Sequence, residues 1–323
     1  MSLETFGDFQ GTPVLRTTLR SDEVALNLIS YGAAVQSWEV MGPSGPMQAT
    51  LGFETFEPYP DWSRSFGIIA GRLANRVRDG QFRLDGETVQ LDRNEGRNHL
   101  HGGSAGFGRK LWVMESDGRA ARLTLTSPDG DMGYPGTVHV TVDVTVDGPT
   151  VTFDMTAVPD RPTPVALAQH SYYALGGPIE EHVLHIAADQ MTVTDAANIP
   201  TGELAPVAGG PFDFLTPRAI GDQELDDNFC LKENAPAATL TGRDMMLILS
   251  TDRPGLQVYN AFDMPDIAAP GLGGAIYGPW SGVALEAQDW PDAVNHENFP
   301  GVVATPDRPY RQTTSITITP RRR

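Results

Sequence analysis

The stretch from Val138 to Ala157 constrains the fold of this chain more than any other. Val138, Val140, Val142, Val144 and Val146 alternate with polar residues, and after a break at Asp147, Gly148 and Pro149 the alternation resumes with Val151, Phe153, Met155 and Ala157. A strict period of two puts all the apolar side chains on one face of an extended strand and the polar ones on the other. The two runs therefore predict a hairpin with one buried face and one wet face. Shorter runs of the same kind occur in "EVALNLI", "ARLTLT", "MMLILST", "LQVYNAF" and "SITIT". Asp-Gly pairs at 79–80 and 85–86 predict tight turns. No segment carries apolar residues at i, i+3, i+4 and i+7 through several turns, so no substantial helix is expected. The reading is an all-β chain of many short strands.

No Ser/Gly-rich linker, charge block or fixed-period repeat divides the sequence, so residues 1–323 are expected to form one domain. Its 41 acidic residues against 23 basic ones give a formal charge of −18, which repels phosphate backbones and anionic lipid. Nucleic acid and membrane surfaces are thus poor partners. No apolar run is long enough to span a bilayer, and "MSLETFGDFQGTP" lacks the build of a signal peptide. Cys230 is the only cysteine, which fits a reducing compartment and an expected cytoplasmic location. With no neighbouring base in sequence, it reads as a packed core thiol.

Several polar residues stand where they need an explanation. His99 and His101 in "NHLHGG" are two apart, so on a strand both imidazoles would leave from the same face. That spacing serves metal sites in β proteins, hydrogen bonding in a glycine-rich loop, and acid–base work alike, and all three remain open. His170 breaks the apolar stretch "VALAQHSYYALGG", as a satisfied core histidine or a functional one. Glu286 follows Val283, Ala284 and Leu285, and a carboxylate ending a buried strand has a raised pKa or a dedicated partner. Asp226 and Asp227 precede an apolar close, where one of them could cap a turn.

Ten segments, "GRLANRV", "NHLHGG", "GFGRKLW", "SPDGDMGYPG", "QHSYYALGG", "IPTGELAPV", "PFDF", "LDDNFCL", "LQVY" and "LEAQDWPDAVN", occur in that order along most of the chain. Together they resemble the aldose 1-epimerase (galactose mutarotase) family. The resemblance implies a large, mostly antiparallel β sandwich with one open sugar site, no metal and no organic cofactor. It implies Glu286 as catalytic base, His170 as acid and His101 as the second active-site histidine, with His99 incidental. Sugar-binding positions fall on Asn75, Arg76, Asp226 and Gln257, with Tyr172 and Gln288 added. The implied substrate is a free monosaccharide, handled by a monomer or homodimer.

The sequence departs from the family pattern at Gln169, Asp227, Trp290 and the Asn260–Ala261 pair, changes that bear on which sugar fits rather than on the reaction. Opening and reclosing a hemiacetal ring asks for a carboxylate and an imidazolium on opposite sides of one small ring. Two competing readings are a metal enzyme with His99, His101, His170 and Glu286 as ligands, and a sugar-binding protein without turnover.

Overall fold

The expected hairpin forms from strands Val138–Asp147 and Thr150–Pro159, paired from Val138 opposite Pro159 to Asp147 opposite Thr150. Its valines and Val151, Phe153, Met155 and Ala157 are all buried, while their neighbours in sequence alternate outward. The computed structural model describes residues 3–63, 65–232 and 236–321. The hairpin sits inside a nine-stranded sheet whose order is 113–116, 120–127, 138–147, 150–159, 310–320, 245–251, 238–241, 183–186 and 218–219. A six-stranded sheet runs Tyr172–Tyr173, Val283–Gln288, Gly255–Tyr259, Asp226–Cys230, Gln190–Thr194 and Pro200–Pro206. A third sheet is a five-stranded meander from Glu4 to Gln48. The ladders of all three sheets are antiparallel.

One apolar core lies between the nine- and six-stranded sheets. Val140, Val142, Phe153, Leu247 and Ile316 from the first share it with Phe229, Leu256, Val258, Leu285 and Ala287 from the second. A sandwich results, because each sheet has one apolar face and each must cover it. Turn chemistry follows the sequence as well. Leu84 pairs with Glu87 across Asp85 and Gly86, both with positive φ, the two-residue hairpin that Asp-Gly favours. The longest α-helix among the described residues is the single turn Tyr59–Trp62. No helix of the described residues is long and apolar enough to cross a membrane.

The six-stranded sheet carries five of the residues expected at the site, Tyr172, Asp226, Gln257, Glu286 and Gln288. Leu285 and Ala287 enter the core, so Glu286 and Gln288 must face the other way. That second face is also buried, under the loops that follow Ala70 and Gln288, which lets polar side chains there work away from bulk water. Phe153, fully buried at the centre of the core, makes the sandwich testable: Phe153→Ala should lower unfolding free energy by about 3–5 kcal/mol, read as a shift of the urea midpoint with unchanged slope.

Candidate active site

A cavity of about 600 Å³ opens on the polar face of the six-stranded sheet. Its deep wall carries Glu286, His170, Tyr172, Asn75, Arg76, His101 and Asp226, and its mouth carries the exposed Asp61, Asn94, Arg109 and Asp263. Glu286 is held by the strand register, directly opposite Gln257. His170 is held by its backbone, which exchanges hydrogen bonds with Ile68 and Gly67 just beyond the short pairing of Ala168–Gln169 with Ile69–Ala70. These two frames bring His170 Nε2 to 3.5 Å from Glu286 Oε1, side by side rather than across a gap.

The two histidines of "NHLHGG" do not share a face. The strand is only two residues long, His99–Leu100, and His101 turns away with φ of +50°. His99 is fully buried. Its Nδ1–H donates to the Asp92 carbonyl at 2.6 Å and its Nε2 accepts from the Tyr134 hydroxyl at 2.7 Å, so both nitrogens are committed. It is a core histidine that anchors the loop. His101 is tied to Asn75 twice: its N–H donates to the Asn75 carbonyl, and its Nδ1 accepts from the Asn75 N–H, both at 3.1 Å. A neutral imidazole that accepts at Nδ1 carries its proton on Nε2, leaving an N–H donor for a ligand in the cavity. Gly102 makes this turn possible, since a Cβ there would lie 1.7 Å from the Gly71 carbonyl oxygen.

Arg76 forms a two-pronged pair with Glu95 at 2.8 and 2.9 Å and reaches Asp226 at 3.4 Å. Burial opposes its charge, but these carboxylates more than offset burial and raise its pKa. Asp226 also accepts from Gln257 Nε2 at 2.8 Å and Asn198 Nδ2 at 3.1 Å. The result is a rigid arginine–carboxylate frame along one wall.

Burial sets the charge states of the central pair. Desolvation raises the Glu286 carboxyl well above its ordinary value, repulsion from Asp226 adds to this, and Arg76 opposes it. Desolvation pushes His170 down to about 4. His101 is lowered well below the usual imidazole value by burial, with further repulsion from His170 and Arg76. Burial thus pushes both imidazoles toward the neutral form and the Glu286 carboxyl toward the protonated form.

Among the described residues, His101, His170 and Glu286 are the one group whose ligand atoms converge closely enough to suggest a metal, within 4.8 Å of one another. The donor set fits a metal poorly. His101 uses its lone pair at Nδ1 on a backbone N–H, so coordination through Nε2 would require an imidazolate. His99, the fourth ligand of the metal reading, has no nitrogen to give.

Of the nine residues expected from the sequence, seven line the cavity. Gln257 and Gln288, expected as sugar contacts, do not: both are buried beneath the floor, where Gln257 supports Asp226. Glu95, Asn198 and Arg109 were not anticipated, because an acid, an amide and an arginine in polar loops carry no periodic signal. Cys230 is buried and its thiol is pushed up to about 12, as a packed cysteine should be.

A buried carboxyl and imidazole in contact on a β-sandwich floor, ringed by hydrogen-bonding side chains, make a cavity suited to a small polar ligand. The family model for aldose 1-epimerase matches residues 16–317. The galactose mutarotase of Sus scrofa is 37% identical, with 96% of each chain covered, and the aldose 1-epimerase of Escherichia coli K12 is 32% identical, with 90% of each covered. The crystal structure of galactose 1-epimerase from Lactobacillus acidophilus NCFM superposes with a TM-score of 0.88 at 27% identity over 99% of both chains. The chain belongs to the aldose 1-epimerase family, whose members are isomerases that interconvert sugar anomers. Gly102→Ala should displace His101 and reduce turnover at least tenfold, on the order expected for a misplaced active-site group, while circular dichroism still reports a β fold.

Proposed function

We propose that Glu286 as base and His170 as acid interconvert the α and β anomers of a free monosaccharide, with His101, Asn75, Arg76, Asp226 and Tyr172 holding its oxygens. The observation that carries this reading is the 3.5 Å separation of His170 Nε2 and Glu286 Oε1 at the bottom of the cavity. The C1 hydroxyl and the ring oxygen are bonded to the same carbon. A donor and an acceptor side by side can therefore reach both, and this arrangement replaces the expected placement on opposite sides of the ring.

In ring opening, the Glu286 carboxylate takes the C1 hydroxyl proton. The bond from C1 to the ring oxygen breaks, its electron pair stays on that oxygen, and His170 gives it the Nε2 proton. Rotation about C1–C2 turns the aldehyde over. On closing, His170 recovers the proton as the hydroxyl attacks the carbonyl carbon, and Glu286 returns its own to the carbonyl oxygen. The pair alternates between carboxylate with imidazolium and carboxyl with imidazole, carrying one proton throughout. Burial favours the uncharged form, which accompanies the open aldehyde, while Arg76 favours the carboxylate that begins the cycle. His101 Nε2–H and Arg76 would steady negative charge as it develops on oxygen.

The names of the relatives make galactose a first sugar to try, with glucose, arabinose, xylose and fucose beside it. One domain spanning the chain is part of the same reading, supported by a core that joins residues from Leu19 to Ile318. So is the cytoplasm, supported by the lone Cys230.

Polarimetry on freshly dissolved α-anomers is the test. Wild type should speed equilibration, and Glu286→Gln and His170→Asn should each lower kcat by roughly 10²–10⁴ while calorimetry still detects sugar binding. Near-full rates in both variants would reject the assignment. Arg76→Ala should raise KM and lower kcat together. The rate should be bell-shaped in pH, because the base is lost when both groups are protonated and the acid is lost when neither is.

A further inference from the structure

Three buried amides stand in register with Glu286 on the same face of the six-stranded sheet. Gln257 lies directly across from Glu286, Asn228 directly across from Gln257, and Gln288 two residues along from Glu286. Gln257 spends Nε2 on Asp226. Its Oε1, the amide nitrogen and oxygen of both Asn228 and Gln288, and Glu286 Oε2 are all buried and have no hydrogen-bond partner among the described residues. Buried polar groups are rarely left so. The unpartnered set comprises two amide nitrogens with two N–H hydrogens each and four oxygens, donors and acceptors in equal number.

The row is built rather than incidental. A Cβ at Gly255 would lie 2.5 Å from Asn228 Oδ1 and 2.8 Å from Trp290 Cδ1, so glycine leaves the space in which the amide and the indole covering it meet. Trp290 is fixed there by its Nε1–H, which donates to the Pro254 carbonyl at 2.9 Å. Neither Asn228 nor Gln288 lines the cavity, so neither is arranged to touch the sugar.

We propose that Asn228 and Gln288 are positioning residues for Glu286: with Gln257 they form an amide network, closed directly or through a bridging water, that presents N–H donors to the carboxylate oxygen not facing His170. The proposal rests on the reading of Glu286 as the base. Hydrogen bonds to the ionised form favour it, which would counter the burial and the Asp226 repulsion that both work against ionisation. The other groups around Glu286 are His170 and Tyr172 from one segment, His101 and Arg76 from the loops above, and Asp226 and Tyr259 from neighbouring strands; only Arg76 among them is permanently positive.

The experiment is the pH profile of kcat, by polarimetry, for Gln288→Met and Asn228→Leu, which keep size and remove the amide. The midpoint of the acid limb should move up by about one pH unit, a roughly tenfold loss of kcat on that limb, with plateau kcat and KM within about twofold of wild type. A lowered Tm with the acid limb unmoved would mean the amides only support the fold, and would overturn the proposal. Gln288→Glu keeps the shape, adds a carboxyl beside the base and should move the limb up as well. It serves if the apolar variants fail to fold, and an unmoved limb there overturns the proposal equally. Glu286→Gln is run alongside. Wild-type rate and acid limb in that variant would reject Glu286 as the base, whereas loss of rate there with unmoved limbs in the amide variants would reject the network alone.

Discussion

The antiparallel register of the six-stranded sheet is the constraint on which the rest depends. Leu285, Ala287, Leu256, Val258 and Phe229 seal one side of the sandwich core, and the period of two then forces Glu286, Gln257 and Asn228 onto the opposite face. A slip of one residue would bury the polar set in the core and expose the apolar set to the cavity. The apolar face thus holds the polar face in place. Position of the proposed base is inherited from the packing of its neighbours.

Burial supplies the chemistry. Glu286 and His170 are both almost wholly shielded from water, and shielding disfavours each separate charge, which is the setting that the proposed exchange of one proton between adjacent atoms uses. The permanent charge of Arg76 is affordable in the same wall because Glu95 grips it with two hydrogen bonds and Asp226 stands close behind. Different responses to the same desolvation problem therefore sit side by side: a paired charge at Arg76, and a carboxyl and an imidazole both pushed toward their neutral forms.

Much of this was legible in the residues. Alternation at 138–157 yielded the hairpin and its buried face, and Asp85-Gly86 yielded a tight turn. The stretch around Glu286 marked a carboxylate in apolar company. Ordered segments from "GRLANRV" to "LEAQDWPDAVN" pointed to the family that the comparisons establish. What could not be read was direction. His99 and His101 suggested a common face, but the strand ends at Leu100 and the backbone turns over at His101, sending one imidazole into the core and the other to the cavity. Gln257 and Gln288 were expected to touch the sugar and instead lie under the floor, since the side chains of one strand face differ in how much other chain covers them.

The sequence by itself determined the all-β class, because periodicity is a local property, and the family, through its ordered segments, and the acid and base candidates came with that resemblance. Tertiary structure decided what those residues meet. The bond from Asn75 that sets the His101 tautomer, the Glu95 grip on Arg76, and the amide row under Glu286 each join segments brought together only by strand pairing and loop packing. Charge state and tautomer follow from burial and hydrogen-bond partners, and neither is a property of a residue until the chain has closed around it.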